Sequence, residues 1–224
     1  MITRTLIASA LAASLFVAAL SFETPAIAGS YERVPAARID LPSDVEIETA
    51  IFAGGCFWGV EAVFERVRGV KSAVSGYAGG HVENPTYRQV TTGTTGHAES
   101  VRVTFDPDVV SYADLLQVYF SVIADPTLKN RQGPDVGPHY RTAFFPIDQR
   151  QARIARAYIA QLDEAGIYSR PIVTTLEKPG KFFKAEEYHQ NYMRKNPNSA
   201  YILAHDAPKV RAFERLFPDL VKRS

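Results

Sequence analysis

Cysteine is almost absent from this chain. Its 224 residues contain one, Cys56, together with one tryptophan and two methionines. A single thiol excludes any internal disulfide, so the chain cannot rely on the staples common in small exported domains. Long apolar runs are also missing apart from Leu6 to Leu20, which is shorter than the roughly 20 residues needed to span a bilayer. Charge of either sign is not in excess: 25 Lys and Arg face 24 Asp and Glu, for a net charge of +1. That balance argues against nucleic acid or acidic lipid as a partner. One cysteine and five scattered histidines show no ligand spacing, which argues against a zinc site.

What is present begins with an export signature. Arg4 gives a short positive region, the apolar run follows, and Ala26-Ile27-Ala28 fits the small-x-small cleavage rule. Residues 1–28 therefore read as a signal peptide, an uncleaved anchor being the alternative. The mature chain is expected outside the cytoplasm, in the periplasm if the source is Gram-negative, with no stable membrane insertion after cleavage. About 196 residues remain once 28 are removed from 224, enough for one domain with its own core. A hydrophobic content of 46% supplies that core. Nothing suggests an obligate oligomer, so a monomer is expected.

Residues 29–46 are polar, with two prolines, and read as an extended lead-in to a single domain over 47–224. Ile47 to Phe52 reads as a strand, Gly59 to Val67 as a helix, and Val70 to Tyr77 and Ser100 to Phe105 as strands. Ser111 and Asp114 form a capping-box pattern for a helix reaching Ile123. Tyr140 to Ile147 reads as a strand. Asp148 and Gln151 then open a helix that ends at Gly166. Ile172 to Leu176 reads as a further strand, and helices over Ala185–Lys195 and Pro208–Phe217 close the chain. The β-α-β-β-α-β order between Ile47 and Ile147 predicts an α+β fold with a ferredoxin-like split βαβ core. Its mixed sheet would be packed with helices, and the C-terminal part is long and rich in loops. The longest irregular stretch, Asp125 to His139, is of a length usually found in functional or disordered loops.

Cys56 lies in "IFAGGCFWGVE". Gly54 and Gly55 permit a sharp turn and close approach of a ligand to the sulfur. A helix start just after the cysteine favours its thiolate, the nucleophilic form. Phe57 and Trp58 offer apolar walls. The bland alternative is a buried, inert cysteine, the usual fate of a free one. Further candidates lie in glycine- and proline-marked loops: His97 and Glu99, Tyr87 and Arg88, then Asp135, His139, Tyr140 and Arg141. A Cys/His hydrolase using His97 or His139 as base is a second enzymatic reading, and a non-catalytic binding domain a third.

The blocks "GGCFWGVE", "GYAGG", "NPTYRQV", "TGHAE", "RQGPDVGPHYR" and "AEEYHQNYMRKNP" resemble, in order and approximate spacing, the A-type peptide methionine sulfoxide reductases, from about Ile51 to Pro197. The resemblance implies that Cys56 attacks the sulfoxide sulfur and that Glu99 protonates the departing oxygen. It implies that Tyr87 and Tyr140 hydrogen-bond that oxygen and that Asp135 shapes the site. Phe57 and Trp58 would cage the substrate methyl. The implied activity is reduction of methionine S-sulfoxide, free or in proteins, through a sulfenic acid on Cys56, with no bound cofactor. Repair of oxidised exported proteins would be its role.

Two departures from that family pattern matter. Many members carry further cysteines near the C-terminus that resolve the sulfenic acid, and the tail "YILAHDAPKVRAFERLFPDLVKRS" has none. The expected reductant is therefore an external thiol: a thioredoxin- or glutaredoxin-like protein, or a small thiol. Ala124 stands where "HDP" is common in the family, leaving Asp125 and Pro126.

Overall fold

Alternating apolar residues build a sheet whose inner face carries the reactive groups. The structure, a computed structural model, describes residues 31–178 and 180–223; the expected signal peptide lies outside them. The elements in order are β1 (Glu48–Gly54), α1 (Phe57–Phe64), β2 (Val70–Ala78), α2 (Tyr87–Val90), β3 (Ala98–Phe105) and α3 (Tyr112–Val118). Next come β4 (Arg131–Gln132), β5 (Asp135–Val136), β6 (Thr142–Phe144), α4 (Gln149–Glu164), β7 (Thr175–Leu176), β8 (Phe183–Lys184), α5 (Tyr192–Lys195) and α6 (Ala207–Leu216). Among the described residues, no helix is long and apolar enough to cross a membrane.

The main sheet has the order β7-β6-β1-β3-β2-β8. β3 runs antiparallel to both β1 and β2, and β6 antiparallel to β1. The parallel pair β1 and β2 is thus split by β3, as the element order predicts. β7 adds parallel to β6 at one edge, and β8 antiparallel to β2 at the other.

The main core lies on the helical side, where Ala50 and Phe52 of β1 meet Val101, Val103 and Phe105 of β3. Phe52 stacks on Phe64 of α1 at 4.8 Å between ring centroids. The opposite face is lined by Ile51, Ala53, Ala78, Ala98, Ala143 and Phe145. Residues 31–46 form neither helix nor strand and are tied down by helix side chains. Gln117 donates to the Val34 carbonyl at 2.7 Å, and Gln161 to the Ala36 carbonyl at 2.8 Å.

Ser111 and Asp114 form the predicted capping box of α3. That helix continues as a wider π-turn over Tyr119–Ile123, which brings the Tyr119 hydroxyl to the Ala53 carbonyl at 2.7 Å. Several boundaries differ from the sequence reading. β6 covers only Thr142–Phe144, because Pro138 opens a 3-10 turn over Pro138–Tyr140 that delays the strand. The strand read over Ile172–Leu176 reduces to Thr175–Leu176, which pairs with β6.

The helix read from Ala185 is confined to Tyr192–Lys195. Ala185 donates to Ser75 O instead, and the Gln190 side chain bonds Ser75 and Ala185, so residues 185–191 fold as turns against β2. The long irregular stretch is folded, with β4 and β5 pairing as a short hairpin.

α1 begins at Phe57 rather than Gly59, so Cys56 is its N-cap residue. Gly55 adopts φ +85°, and a Cβ there would meet Gln132 Cβ at 2.6 Å. Gln132 is itself fixed by two bonds to the Asp125 backbone. Ala124 packs beside Gly54, behind this turn. Gly55→Ala should therefore lower stability by about 2 kcal/mol in urea unfolding, from left-handed strain plus the clash; a loss near zero contradicts this account of the turn.

Candidate active site

Three parts of the chain deliver the reactive groups. The β1–α1 turn supplies Cys56, which is 7% exposed. β3 supplies Glu99, 1% exposed, in the same inward row as Val101, Val103 and Phe105. Glu99 Oε2 accepts from the Phe57 amide at 3.1 Å, a link between strand and helix start. Across the sheet, Tyr77 is the direct partner of Glu99.

Burial pushes the Glu99 carboxyl up to about 8, with Asp135 and Asp206 adding to the rise and the Phe57 amide opposing it. A carboxylic acid at that value keeps its proton at neutral pH and can give it away. Burial also pushes the Cys56 thiol well above its usual range, with Glu99 and Asp206 adding to the rise. The Trp58 amide and Lys209 pull it down by less. The helix start therefore aids the thiolate as the sequence suggests, but desolvation outweighs it and the resting sulfur is protonated.

The loops supply the phenols. Tyr87, opening α2, and Tyr140, closing the 3-10 turn, are close enough to act on each other electrostatically. Both are pushed up by burial and by nearby Glu99, Tyr87 to about 12. They remain neutral donors at physiological pH. Glu186 fixes this wall, accepting from the Tyr87 amide and from the Tyr77 hydroxyl, each at 2.8 Å. Asp135, in β5, accepts from the Tyr201 hydroxyl.

Phe57 is fully buried against Tyr77 and His189. Trp58 is half-buried and stacks on Tyr192 at 3.7 Å with rings 7° apart. The Tyr201 ring meets it edge-on at 5.7 Å, and its indole N–H donates to His189 Nδ1 at 3.1 Å. The cluster thus joins Cys56, Glu99, Tyr87, Tyr140 and Asp135, with Phe57 and Trp58 as aromatic neighbours.

Sequence reasoning missed Tyr201, Asp206, Glu186 and His189. The last two lie inside the quoted "AEEYHQNYMRKNP" block, which was a usable signal. Tyr201 and Asp206 stand in the tail, where the absence of cysteine drew attention away from what was there.

The histidines do not act as bases. His97 Nε2 meets the Val82 carbonyl at 2.8 Å and its Nδ1 accepts from the Gly80 amide at 3.1 Å, so both nitrogens hold the loop together. The His139 ring lies tilted against Tyr140 at 4.1 Å between centroids, and neither of its ring nitrogens forms a hydrogen bond with Cys56. No histidine is among the groups that shift the thiol. The hydrolase reading loses its base.

A buried thiol with a protonated acid and two phenols near it makes a cysteine-based enzyme site that can protonate an oxygen on a sulfur under attack. The comparisons with known proteins agree. The family model for peptide methionine sulfoxide reductase matches residues 48–220. The peptide methionine sulfoxide reductase MsrA 2 of Mesorhizobium japonicum is 54% identical over 173 residues, 77% of this chain and 89% of the relative. MsrA of Natronomonas pharaonis is also 54% identical over 173 residues, 77% of this chain and 97% of that protein. Among solved structures, methionine sulfoxide reductase A of Corynebacterium diphtheriae superposes with a TM-score of 0.58 at 36% identity, covering 70% of this chain and 78% of that one. Mxr1 from Saccharomyces cerevisiae in reduced form gives 0.62 at 29% identity, covering 72% and 92%. The chain belongs to the peptide methionine sulfoxide reductase family, A type.

The raised Glu99 acid has a consequence for stability. Its native value of about 8 lies above the 4.5 of an ordinary glutamate. The native state therefore holds a proton that the unfolded state has lost, and stability falls as pH rises between those values. Glu99→Gln should remove this part of the slope and leave the variant about 1–3 kcal/mol more stable than the parent near neutrality. Denaturant unfolding at several pH values checks this; an unchanged slope contradicts the assigned proton.

Proposed function

We propose that this protein reduces methionine S-sulfoxide with one thiol of its own, repairing oxidised proteins outside the cytoplasm and drawing its second thiol from another molecule. The observation that carries the reading is the buried Glu99 carboxyl, bonded to the amide of Phe57 directly after the single cysteine. Family membership supports the reductase chemistry, and the sequence count supports the external thiol. The N-terminal signature, Arg4 with an apolar run and Ala26-Ile27-Ala28, supports export to the periplasm.

In this reading the substrate's apolar methyl end lies against Phe57 and Trp58, and its oxygen accepts from the Tyr87 and Tyr140 hydroxyls. The two phenols raise the oxygen's readiness to leave and hold the sulfur toward Cys56. As Cys56 attacks the substrate sulfur, Glu99 gives its proton to the sulfoxide oxygen and takes up the thiol proton, leaving an adduct with an S–S bond and a hydroxyl on the substrate sulfur. The hydroxyl then moves to Cys56 as the substrate S–O bond and the S–S bond break. Asp135, in the β4–β5 hairpin and held by Tyr201, helps keep the Glu99 carboxyl protonated.

The products are methionine and a Cys56 sulfenic acid, so the oxygen passes from one sulfur to the other and the enzyme sulfur is oxidised. One external thiol then condenses with the sulfenic acid, releasing water and forming a mixed disulfide. A second thiol displaces Cys56 from that disulfide and restores it. A thioredoxin- or glutaredoxin-like protein, or a small thiol, fits this step. The monomer expected from the sequence suffices, because every assigned residue belongs to one chain.

The mature protein, incubated with a methionine-sulfoxide peptide and dithiothreitol, should remove ~16 Da from the peptide, the mass of the sulfoxide oxygen. Only the S epimer should react. No mass loss would overturn the proposal. Glu99→Gln should lower kcat/KM by roughly 10²- to 10⁴-fold, the usual contribution of a general acid. Near-parental activity in that variant would remove Glu99 from the acid's role.

A further inference from the structure

Glu61 is a buried carboxyl that the chemistry above does not use. It sits on α1 three residues after Trp58, and so on the same face of the helix. It is 1% exposed, and burial pushes its carboxyl up to about 7, with Glu65 adding to the rise and Asn191 and Ser75 opposing it. Among the described residues its Oε1 has no hydrogen-bond partner. An apolar side chain would fill such a place at less cost.

What the carboxyl does hold is the chain on the far side of Trp58. Glu61 Oε2 accepts from the Asn191 amide at 2.8 Å. Asn191 stands in the left-handed region, φ +54°, and immediately precedes α5. That conformation persists only where the surroundings enforce it. One residue earlier, the Gln190 side chain bonds Ser75 of β2. One residue later, the Tyr192 ring lies flat on Trp58, 3.7 Å between centroids. Successive residues are thus fixed by β2, by Glu61 and by stacking. The other holds on Trp58 are the His189 bond to its indole N–H and the Tyr201 ring.

We infer that Glu61 is a positioning residue for the methyl wall: by holding the Asn191 amide it seats Tyr192 on Trp58. It acts through Tyr192 and touches no substrate. One helix, α1, then carries both the indole and the group that clamps the indole's neighbour. The buried carboxyl is retained for this bond, which an apolar side chain could not make. The inference rests on Trp58 as a wall for the substrate methyl, as proposed above, but its first test needs no turnover.

Trp58 is the single tryptophan of the chain, so tryptophan emission reports this wall alone. Glu61→Met, of similar length, removes the acceptor and should move the emission maximum to longer wavelength as Tyr192 leaves the indole. Glu61→Gln keeps an acceptor oxygen and should emit like the parent. Tyr192→Leu should shift the emission as Glu61→Met does, and the double variant no further, because both act on one stack. With a methionine-sulfoxide peptide, Glu61→Met and Tyr192→Leu should each raise KM roughly two- to tenfold, the worth of an aromatic stack, with kcat within about twofold of the parent. Glu61→Leu repeats the loss of the acceptor if the methionine variant melts too low to study. A folded Met or Leu variant with parental emission, a Gln variant shifted as far as Met, or additive shifts in the double variant overturns the inference. So do emission shifts with an unchanged KM in an active enzyme. Reductase failure of the parent alongside the predicted emission shifts would count against the proposed function alone.

Discussion

Burial of Glu99 beside Cys56, with no cation among the described residues acting on the carboxyl, is the constraint on which the rest of the site depends. An ionised carboxylate would be expensive there, so the group retains its proton. The same apolar surroundings keep the thiol protonated, and the phenols of Tyr87 and Tyr140 carry their hydrogens as well. The resting site is therefore rich in protons. A sulfoxide is a neutral dipole with a basic oxygen, and a pocket of donors meets that end. Attack by sulfur and protonation of oxygen can then proceed together, without a free ion waiting in the core.

The scaffold holds this balance through short links. The Phe57 amide ties the start of α1 to Glu99. Gly55, locked against Gln132, sets the turn that presents the sulfur. Residues 185–191 are pinned to β2 through Gln190, and from there Glu186 holds the Tyr87 wall while His189 orients Trp58. Tyr192 and Tyr201 complete the aromatic surround of Trp58.

Much of this was legible in the sequence because apolar alternation and capping pairs act locally. Val101, Val103 and Phe105 located β3, and Ser111 with Asp114 marked α3. Starting β3 at Ser100 rather than Ala98, however, left Glu99 outside the strand. Two residues more would have placed it in the inward row. The turns at 185–191 were hidden because Gln190, a good helix former, is used for long-range bonds to Ser75. The Asp206–Lys209 ion pair was hidden for a similar reason, since a spacing of three on a helical segment is equally common on exposed faces. Only the packing of α6 on α1, permitted by Gly59, buries it. The protonated state of the thiol was equally out of reach, since a helix start is written in the sequence and desolvation is not.

The central claim is that Cys56 takes the oxygen from the substrate and holds it until an outside thiol arrives. A single-turnover experiment without reductant tests it directly. Mature protein mixed with excess methionine-sulfoxide peptide should yield one methionine per enzyme, and dimedone should then label Cys56 as the sulfenic acid. Methionine formed without label on Cys56, or formed repeatedly in the absence of thiol, would contradict the account.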